Sequence, residues 1–150
     1  MRPTIQVAFD AADPHRLAAF WAEALDYVVE DHTDVVRQLL AVGQLRDDEA
    51  VVDGDRWAFR DVATCVDRLG TGPRLFFQRV PEPKTAKNRV HLDLAVSGGR
   101  STPIEERRHQ VAAAVERVVA LGATRLKAYD EAGQHWVVMR DPEGNEFCLH

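Results

Sequence analysis

Hydrophobic and polar residues alternate in three short stretches of the chain, at positions 4–10, 90–96 and 146–150. A period of two is typical of a β-strand with one buried face. The pattern therefore predicts three strands that each turn an apolar face towards a core. Their opposite faces carry polar or reactive side chains, namely Gln6, Asp10, His91, Asp93, Glu146, Cys148 and His150.

Two other stretches follow the helical period of 3.6 residues. The first, "DPHRLAAFWAEAL", opens with Asp13 as N-cap and Pro14 at the first helical position. The second, "TPIEERRHQVAAAVERVVALG", opens with Thr102 as N-cap, and Gly122 ends it. Each predicted helix has an apolar stripe, formed by Leu17, Phe20, Trp21 and Leu25 in the first and by Val111, Val115, Val118 and Val119 in the second.

The order of these elements repeats along the chain. After the first helix come the predicted strands "RWAFRDVATCVD" and "PRLFFQRV", and after the second come "HWVVMR" and "EFCLH", joined by the turn "DPEGN". The chain thus reads as a strand–helix–strands module used twice, over residues 4 to about 81 and about 88 to 150, with "PEPKTAKN" between the copies. A stretch at about 33–50, "TDVVRQLLAVGQLRDDEA", predicts a helical insert in the first copy only, and its role stays open.

Length and charge limit the functional classes. The chain has 150 residues and a formal net charge of -5, so we expect one domain over 1–150 and no nucleic-acid partner, because nucleic-acid binding requires a basic face. No stretch has the length of a membrane span or the apolar segment of a signal peptide. We therefore expect a cytoplasmic protein without a membrane partner, in which Cys65 and Cys148 are free thiols.

Four stretches together resemble the vicinal oxygen chelate superfamily, most closely its glyoxalase-like and bleomycin-resistance-like members. They are "VAFDAADPHRLAAFWAEAL", "KNRVHLDLAV", "VERVVALGAT" and "WVVMRDPEGNEFCL". The resemblance implies an α+β fold of two βαβββ modules, whose curled mixed sheets surround a cup. It also implies that small molecules bind in the cup and that homodimers are common. Many members hold one divalent metal there, which chelates neighbouring oxygens of the substrate.

The metal positions implied by the resemblance carry an unusual set of residues. They fall on Gln6, Gln78, His91 and Cys148, while Glu146 is offset by two residues from the last of these. Magnesium, manganese and nickel favour oxygen and nitrogen donors, and two neutral amides with a thiol do not suit them. We therefore expect no cofactor and no intact family metal site. A metal that did bind would use His91, Gln6 and Cys148.

Three functions remain open. The first is a protein that binds a small organic molecule in the cup without a metal. The second is a lyase-, isomerase- or ring-opening enzyme in which His91, oriented by Asp93, serves as a base or as the sole strong metal ligand. The third is a structural or regulatory scaffold with a vestigial cup. For the first, the expected ligand contacts are Gln6, Asp93, Glu146, Cys148, Trp57, Phe77, Gln78 and Trp136.

Overall fold

A computed structural model of the protein describes residues 3–99 and 101–150. The chain divides into two compact units, one ending at Pro83 and the other beginning at Lys84. Each unit contains a four-stranded mixed sheet and a helix that packs on it. The α+β class and the βαβββ order predicted from the sequence are confirmed.

Unit 1 is built from a βαβββ framework and an insert. The framework comprises β1 (Gln6–Ala11), α1 (Pro14–Leu25), β2 (Tyr27–Val29), β5 (Val62–Asp67) and β6 (Arg74–Arg79). Its sheet order is β1-β6-β5-β2, in which β1 and β6 are parallel and the other pairs antiparallel. The insert comprises α2 (Thr33–Ala41), a 3₁₀ helix (Asp47–Glu49), β3 (Ala50–Asp53) and β4 (Arg56–Phe59).

Unit 2 repeats the framework without the insert. It comprises β7 (Asp93–Leu94), α3 (Ile104–Ala120), β8 (Thr124–Glu131), β9 (Gln134–Arg140) and β10 (Glu146–Leu149). The sheet order is β7-β10-β9-β8, with β7 parallel to β10. In both units, the order of the framework strands across the sheet is therefore first, last, third and second along the chain. This shared order is the duplication that the sequence predicts.

The core of unit 1 lies between α1 and its sheet. The side chain of Asp13 accepts a hydrogen bond from the Arg16 backbone N–H at 3.1 Å and caps the helix, as its sequence predicts. Trp21 on the helix and Phe77 on β6 are buried. Phe9 of β1 contacts both, with ring centroids 5.4 Å from Trp21 and 5.0 Å from Phe77.

The core of unit 2 lies between α3 and the apolar face of its sheet. Val111, Val115 and Val118 of the helix are buried. On the sheet, the buried residues are Val137, Met139, Phe147 and Leu149. Because side chains alternate along a strand, this burial turns Glu146 and Cys148 to the opposite face of β10.

Several local predictions are corrected. Ile5 and Val90 are 77% and 81% exposed and lie outside the strands. Thr102 does not cap α3, because the N-cap is Pro103 and no side-chain capping bond forms. Val119 is exposed. The stretch read as one strand, "RWAFRDVATCVD", forms both β4 and β5, so the insert extends beyond residue 50 and includes a two-stranded hairpin.

The turn between β9 and β10 forms as predicted. The Asp141 carboxylate accepts hydrogen bonds from the backbone N–H groups of Glu143 and Asn145, each at 2.9 Å. Gly144 adopts φ 86, which glycine tolerates better than other residues. Both cysteines are free thiols, with Cys65 buried and Cys148 half-buried. Among the described residues, no helix combines the length and apolarity needed to cross a membrane.

Candidate functional site

A cavity of about 670 Å³ opens over the polar face of the unit 2 sheet. Its walls are the strands β8, β9 and β10, the segment that precedes β7, and the turn after β9. The volume lies in the range of small-molecule sites. The lining residues are Lys84, Thr85, Ala86, Lys87, His91, Leu126, Lys127, Tyr129, Trp136, Val138, Arg140, Glu143, Gly144, Glu146 and Cys148.

The register of the strands determines which side chains meet in this cavity. Cys148 pairs with Val138, and Val138 pairs with Lys127, so these three form one row across the sheet. Trp136 pairs with Tyr129 in a second row. A bulge between Arg125 and Lys127 leaves Leu126 outside the ladder. A bulge interrupts the alternation of faces, which explains why the adjacent residues Leu126 and Lys127 both line the cavity.

The second row forms an aromatic wall. The rings of Tyr129 and Trp136 stack with centroids 5.1 Å apart and an angle of 8° between their planes. The Lys127 ammonium lies 4.6 Å from the centroid of the Tyr129 ring, within the range of a cation–π contact. The wall thus presents a flat apolar surface with a positive charge beside it.

Glu146 anchors the segment before β7 to the sheet. The residue is 7% exposed, and its carboxylate accepts a hydrogen bond from the Asn88 backbone N–H at 3.0 Å and lies 3.0 Å from Lys84 Nζ. Arg140 Nε is 3.7 Å from the other carboxylate oxygen. Burial raises the pKa of Glu146, but the hydrogen bonds from Asn88 and Lys84 outweigh this effect and lower the pKa to about 2. The residue is therefore ionised at neutral pH.

His91, Asp93 and Cys148 lie together at the edge of the cavity. His91 Nε2 is 3.3 Å from Asp93 Oδ1, and one potential donor atom from each residue lies within 4.8 Å of the others. Burial and the nearby Asp93 raise the pKa of the Cys148 thiol to about 11. Cys148 is therefore protonated at neutral pH and is a poor nucleophile.

This trio could hold a metal ion, but it does not match the donors of the metal positions implied by the family resemblance. Of those four positions, only His91 is a donor that hard divalent ions favour. At the two amide positions, Gln6 Oε1 accepts a hydrogen bond from Arg74 at 2.8 Å, and Gln78 donates one to Asp10 through Nε2 at 2.8 Å. The four implied positions do not supply the donors of a hard-metal site, because they combine two neutral amides and a protonated thiol with a single imidazole.

The predicted ligand contacts are divided between the two units. His91, Glu146, Cys148 and Trp136 line the unit 2 cavity, and Asp93 touches His91 at its edge. Gln6, Gln78, Trp57 and Phe77 belong to unit 1.

The two unit 1 aromatic residues in that prediction have different surroundings. Trp57 lies in the insert hairpin, with the Arg37 guanidinium 5.9 Å from its ring centroid. Phe77 has no exposed surface and stacks on Phe9, so it is a core residue and its prediction as a ligand contact is corrected.

Sequence reasoning missed five charged cavity residues, namely four cations and Glu143, and it missed one aromatic residue. Lys84 and Lys87 lie in the stretch read only as a linker, whereas Lys127 and Tyr129 lie on β8, a strand that the pattern of residues did not predict. The fourth cation is Arg140. The run "LKAY" holds a cation and an aromatic residue two positions apart, and this was the local signal available.

Comparison with known proteins places the chain in a family. A family model described as "Glyoxalase-like domain" matches residues 6–150. No curated protein gives a significant match.

Three solved structures with similar folds illustrate the architecture. A glyoxalase/bleomycin resistance protein/dioxygenase family enzyme from Burkholderia phytofirmans is 14% identical, with a TM-score of 0.60 and coverage of 96% of this chain and 94% of that one. The fosfomycin resistance protein FosX from Mesorhizobium loti is 12% identical, with a TM-score of 0.58 and coverage of 100% and 91%.

The third structure is a mutant of the fosfomycin resistance protein FosX from Listeria monocytogenes, complexed with Mn(II) and 1S,2S-dihydroxypropylphosphonic acid. It is 12% identical, with a TM-score of 0.58 and coverage of 100% of this chain and 90% of that chain. At these identities, the structures support the fold alone. The family model over residues 6–150 shows that the chain belongs to the glyoxalase-like domain family, and the shared fold agrees with the vicinal oxygen chelate superfamily that its sequence resembles.

Proposed function

We propose that this protein binds a planar small organic molecule in the unit 2 cavity, without a hard divalent metal. The observation that carries the proposal is the stacked pair Tyr129–Trp136 in the wall of a cavity of about 670 Å³. Aromatic walls with a few converging polar groups are typical of small-molecule sites. His91, Glu146 and Cys148 supply such polar groups here.

The donor chemistry supports the metal-free part of the proposal. The Listeria FosX complex contains Mn(II) with a phosphonic acid, and manganese favours oxygen and nitrogen donors. In this chain a thiol and two amides stand at three of the four metal positions implied by the resemblance, and the thiol is protonated at neutral pH. Stacking and hydrogen bonding are therefore proposed to hold the ligand in place of metal chelation.

The proposal is tested by replacing the aromatic wall. Isothermal titration calorimetry with naphthalene compounds of negative, neutral and positive charge would measure binding to the parent and to Trp136→Leu. Because aromatic pairs add about 0.5–1.5 kcal/mol beyond burial of their area, we expect Trp136→Leu to weaken binding about tenfold. Trp57→Leu is the matched control, since Trp57 is not among the described residues that line the unit 2 cavity. The proposal fails if none of the compounds binds, or if both variants lose affinity equally.

A second candidate function is proton abstraction by His91. The contact of 3.3 Å between His91 Nε2 and Asp93 Oδ1 favours it, because an orienting carboxylate leaves Nδ1 as the proton acceptor when Nε2 carries the hydrogen. A bound carbon acid would then exchange its acidic C–H with deuterated solvent, as measured by mass spectrometry. Exchange that is equally fast in the parent and in His91→Gln would eliminate this candidate.

Assembly and location form a separate proposal. Each sheet ends in edge strands, β1 and β2 in unit 1 and β7 and β8 in unit 2, and exposed edges favour pairing. We expect a cytoplasmic homodimer. Light scattering that gives 16.8 kDa, the mass of one chain, would contradict the dimer.

A further inference from the structure

The lysines of this chain are concentrated at one place. Of the 19 cationic Lys and Arg residues, only three are lysines, Lys84, Lys87 and Lys127. All three line the unit 2 cavity, and Arg140 is the only arginine among the described residues that line it. Two lysines come from the segment before β7 and the third from β8, so proximity in the sequence does not account for the cluster.

The cavity is positive although the chain as a whole is acidic. Among the described residues, its lining contains four cationic side chains and two carboxylates, Glu143 and Glu146, and the Asp93 carboxylate lies at its edge. The balance is therefore positive by at least one charge, against a formal net charge of -5 for the chain. Glu146 already has Lys84 at 3.0 Å and Arg140 at 3.7 Å. Within residues 3–99 and 101–150, Lys87 and Lys127 form no ion pair. These two ammonium groups remain available to a ligand.

The available charges share the cavity with the aromatic wall and the row that Cys148, Val138 and Lys127 form. Lys127 contacts the Tyr129 ring, whose partner in the stack is Trp136. Lys127 also belongs to the row with Val138 and Cys148, and Lys87 lines the same cavity. A flat apolar surface thus shares the cavity with two ammonium groups.

We infer that the ligand of this cavity is an aromatic oxyanion, whose ring stacks on the Tyr129–Trp136 wall and whose acidic group is bound by Lys127 and Lys87. The inference rests on the proposed function and narrows its ligand class. Lysine suits this role because its compact, flexible ammonium can follow a carboxylate, sulfonate or phosphate group. Charge-assisted hydrogen bonds to an oxyanion are stronger than neutral ones, so the charge of the ligand determines its affinity.

The test compares naphthalene-2-carboxylate with its neutral amide and with 2-naphthylmethylammonium by isothermal titration calorimetry at low salt. We expect the carboxylate to bind at least about tenfold more tightly than the amide, and the ammonium compound to bind most weakly. Added salt should reduce the advantage of the carboxylate over the amide, because salt screens charge interactions.

Variants separate the local charge from the net charge of the chain. Lys127→Met, alone and with Lys87→Met, should lower affinity for the carboxylate about tenfold or more and change affinity for the amide less than about twofold. Arg125→Met is the matched control, because it removes one positive charge from the same strand but lies outside the cavity lining. It should change neither affinity.

Each contrary outcome has a distinct meaning. If the amide binds as tightly as the carboxylate, the inference is overturned and the proposed function stands. Equal losses in Lys127→Met and Arg125→Met would also overturn it, since net charge alone would then explain the preference. If none of the three compounds binds, the proposed function fails, and the inference fails with it.

Discussion

Replacing Glu146 by glutamine should destabilise the protein at neutral pH. The substitution keeps the shape of the side chain and removes the negative charge that faces Lys84 at 3.0 Å and accepts the Asn88 N–H at 3.0 Å. The folded-state pKa is about 2, against an ordinary value of 4.5. Because each pKa unit corresponds to about 1.4 kcal/mol, ionisation of Glu146 stabilises the folded state by about 3 kcal/mol at pH 7. We expect Glu146→Gln to lose most of this amount.

The effect should depend on pH in a defined direction. A carboxyl whose pKa is lowered on folding stabilises the folded state above its unfolded pKa, and this stability is lost as the pH falls towards the folded pKa. For Glu146 the window extends from 4.5 down to about 2. The difference between the parent and Glu146→Gln should therefore shrink from about 3 kcal/mol at pH 7 to about 2 kcal/mol at pH 3.5.

Urea denaturation at both pH values measures this free-energy difference directly. Glu116→Gln serves as the matched control, because Glu116 is exposed on α3 in the same unit. Surface substitutions of this kind change stability by less than about 0.5 kcal/mol. Equal stability of the two variants at pH 7 would refute the anchoring role of Glu146. A parent–variant difference that stays constant between the two pH values would refute its explanation by ionisation.

Three further outcomes follow from the site, from the core of unit 1 and from the turn between β5 and β6. Adding magnesium, manganese, nickel or cobalt to chelator-treated protein should leave its melting temperature unchanged. A saturated metal site would instead raise the free energy of unfolding by about 3–4 kcal/mol. A rise in melting temperature that disappears in His91→Ala would contradict the metal-free proposal. Phe77→Ala should lower the free energy of unfolding, measured by urea denaturation, by about 3–5 kcal/mol, because Phe77 is fully buried. A decrease no greater than that caused by Phe76→Ala, at a half-buried position, would contradict this expectation. Hydrogen bonds from the side chain of Thr71 and from nearby backbone N–H groups lower the pKa of Asp67. We therefore expect Asp67→Asn to have a lower melting temperature than the parent at neutral pH. This difference should shrink as the pH falls below 3.8, the ordinary pKa of an aspartate. Calorimetry that shows a margin independent of pH would contradict this last expectation.

The sequence by itself determined the elements whose signals are local. Asp13 and Pro14 mark the start of α1 because capping depends on adjacent residues. The alternation on β10 separates Glu146 and Cys148 from the buried Phe147 and Leu149, since successive side chains of a strand face opposite sides. The repeated order of strand, helix and strands then predicted the duplicated framework.

Only the tertiary structure decided the composition of the cavity. Lys127 meets Val138 and Cys148 through the register of three strands, and a bulge at Leu126 affects which residues of β8 face the cavity. Lys84 lies in the same cavity because it forms an ion pair with Glu146, which is 62 positions further along the chain. Register, bulges and long-range ion pairs depend on contacts between residues that are distant in the sequence. The hydrophobic pattern of a short stretch of sequence therefore cannot predict them. For the same reason a sequence that is acidic as a whole gave no sign of a positive cavity.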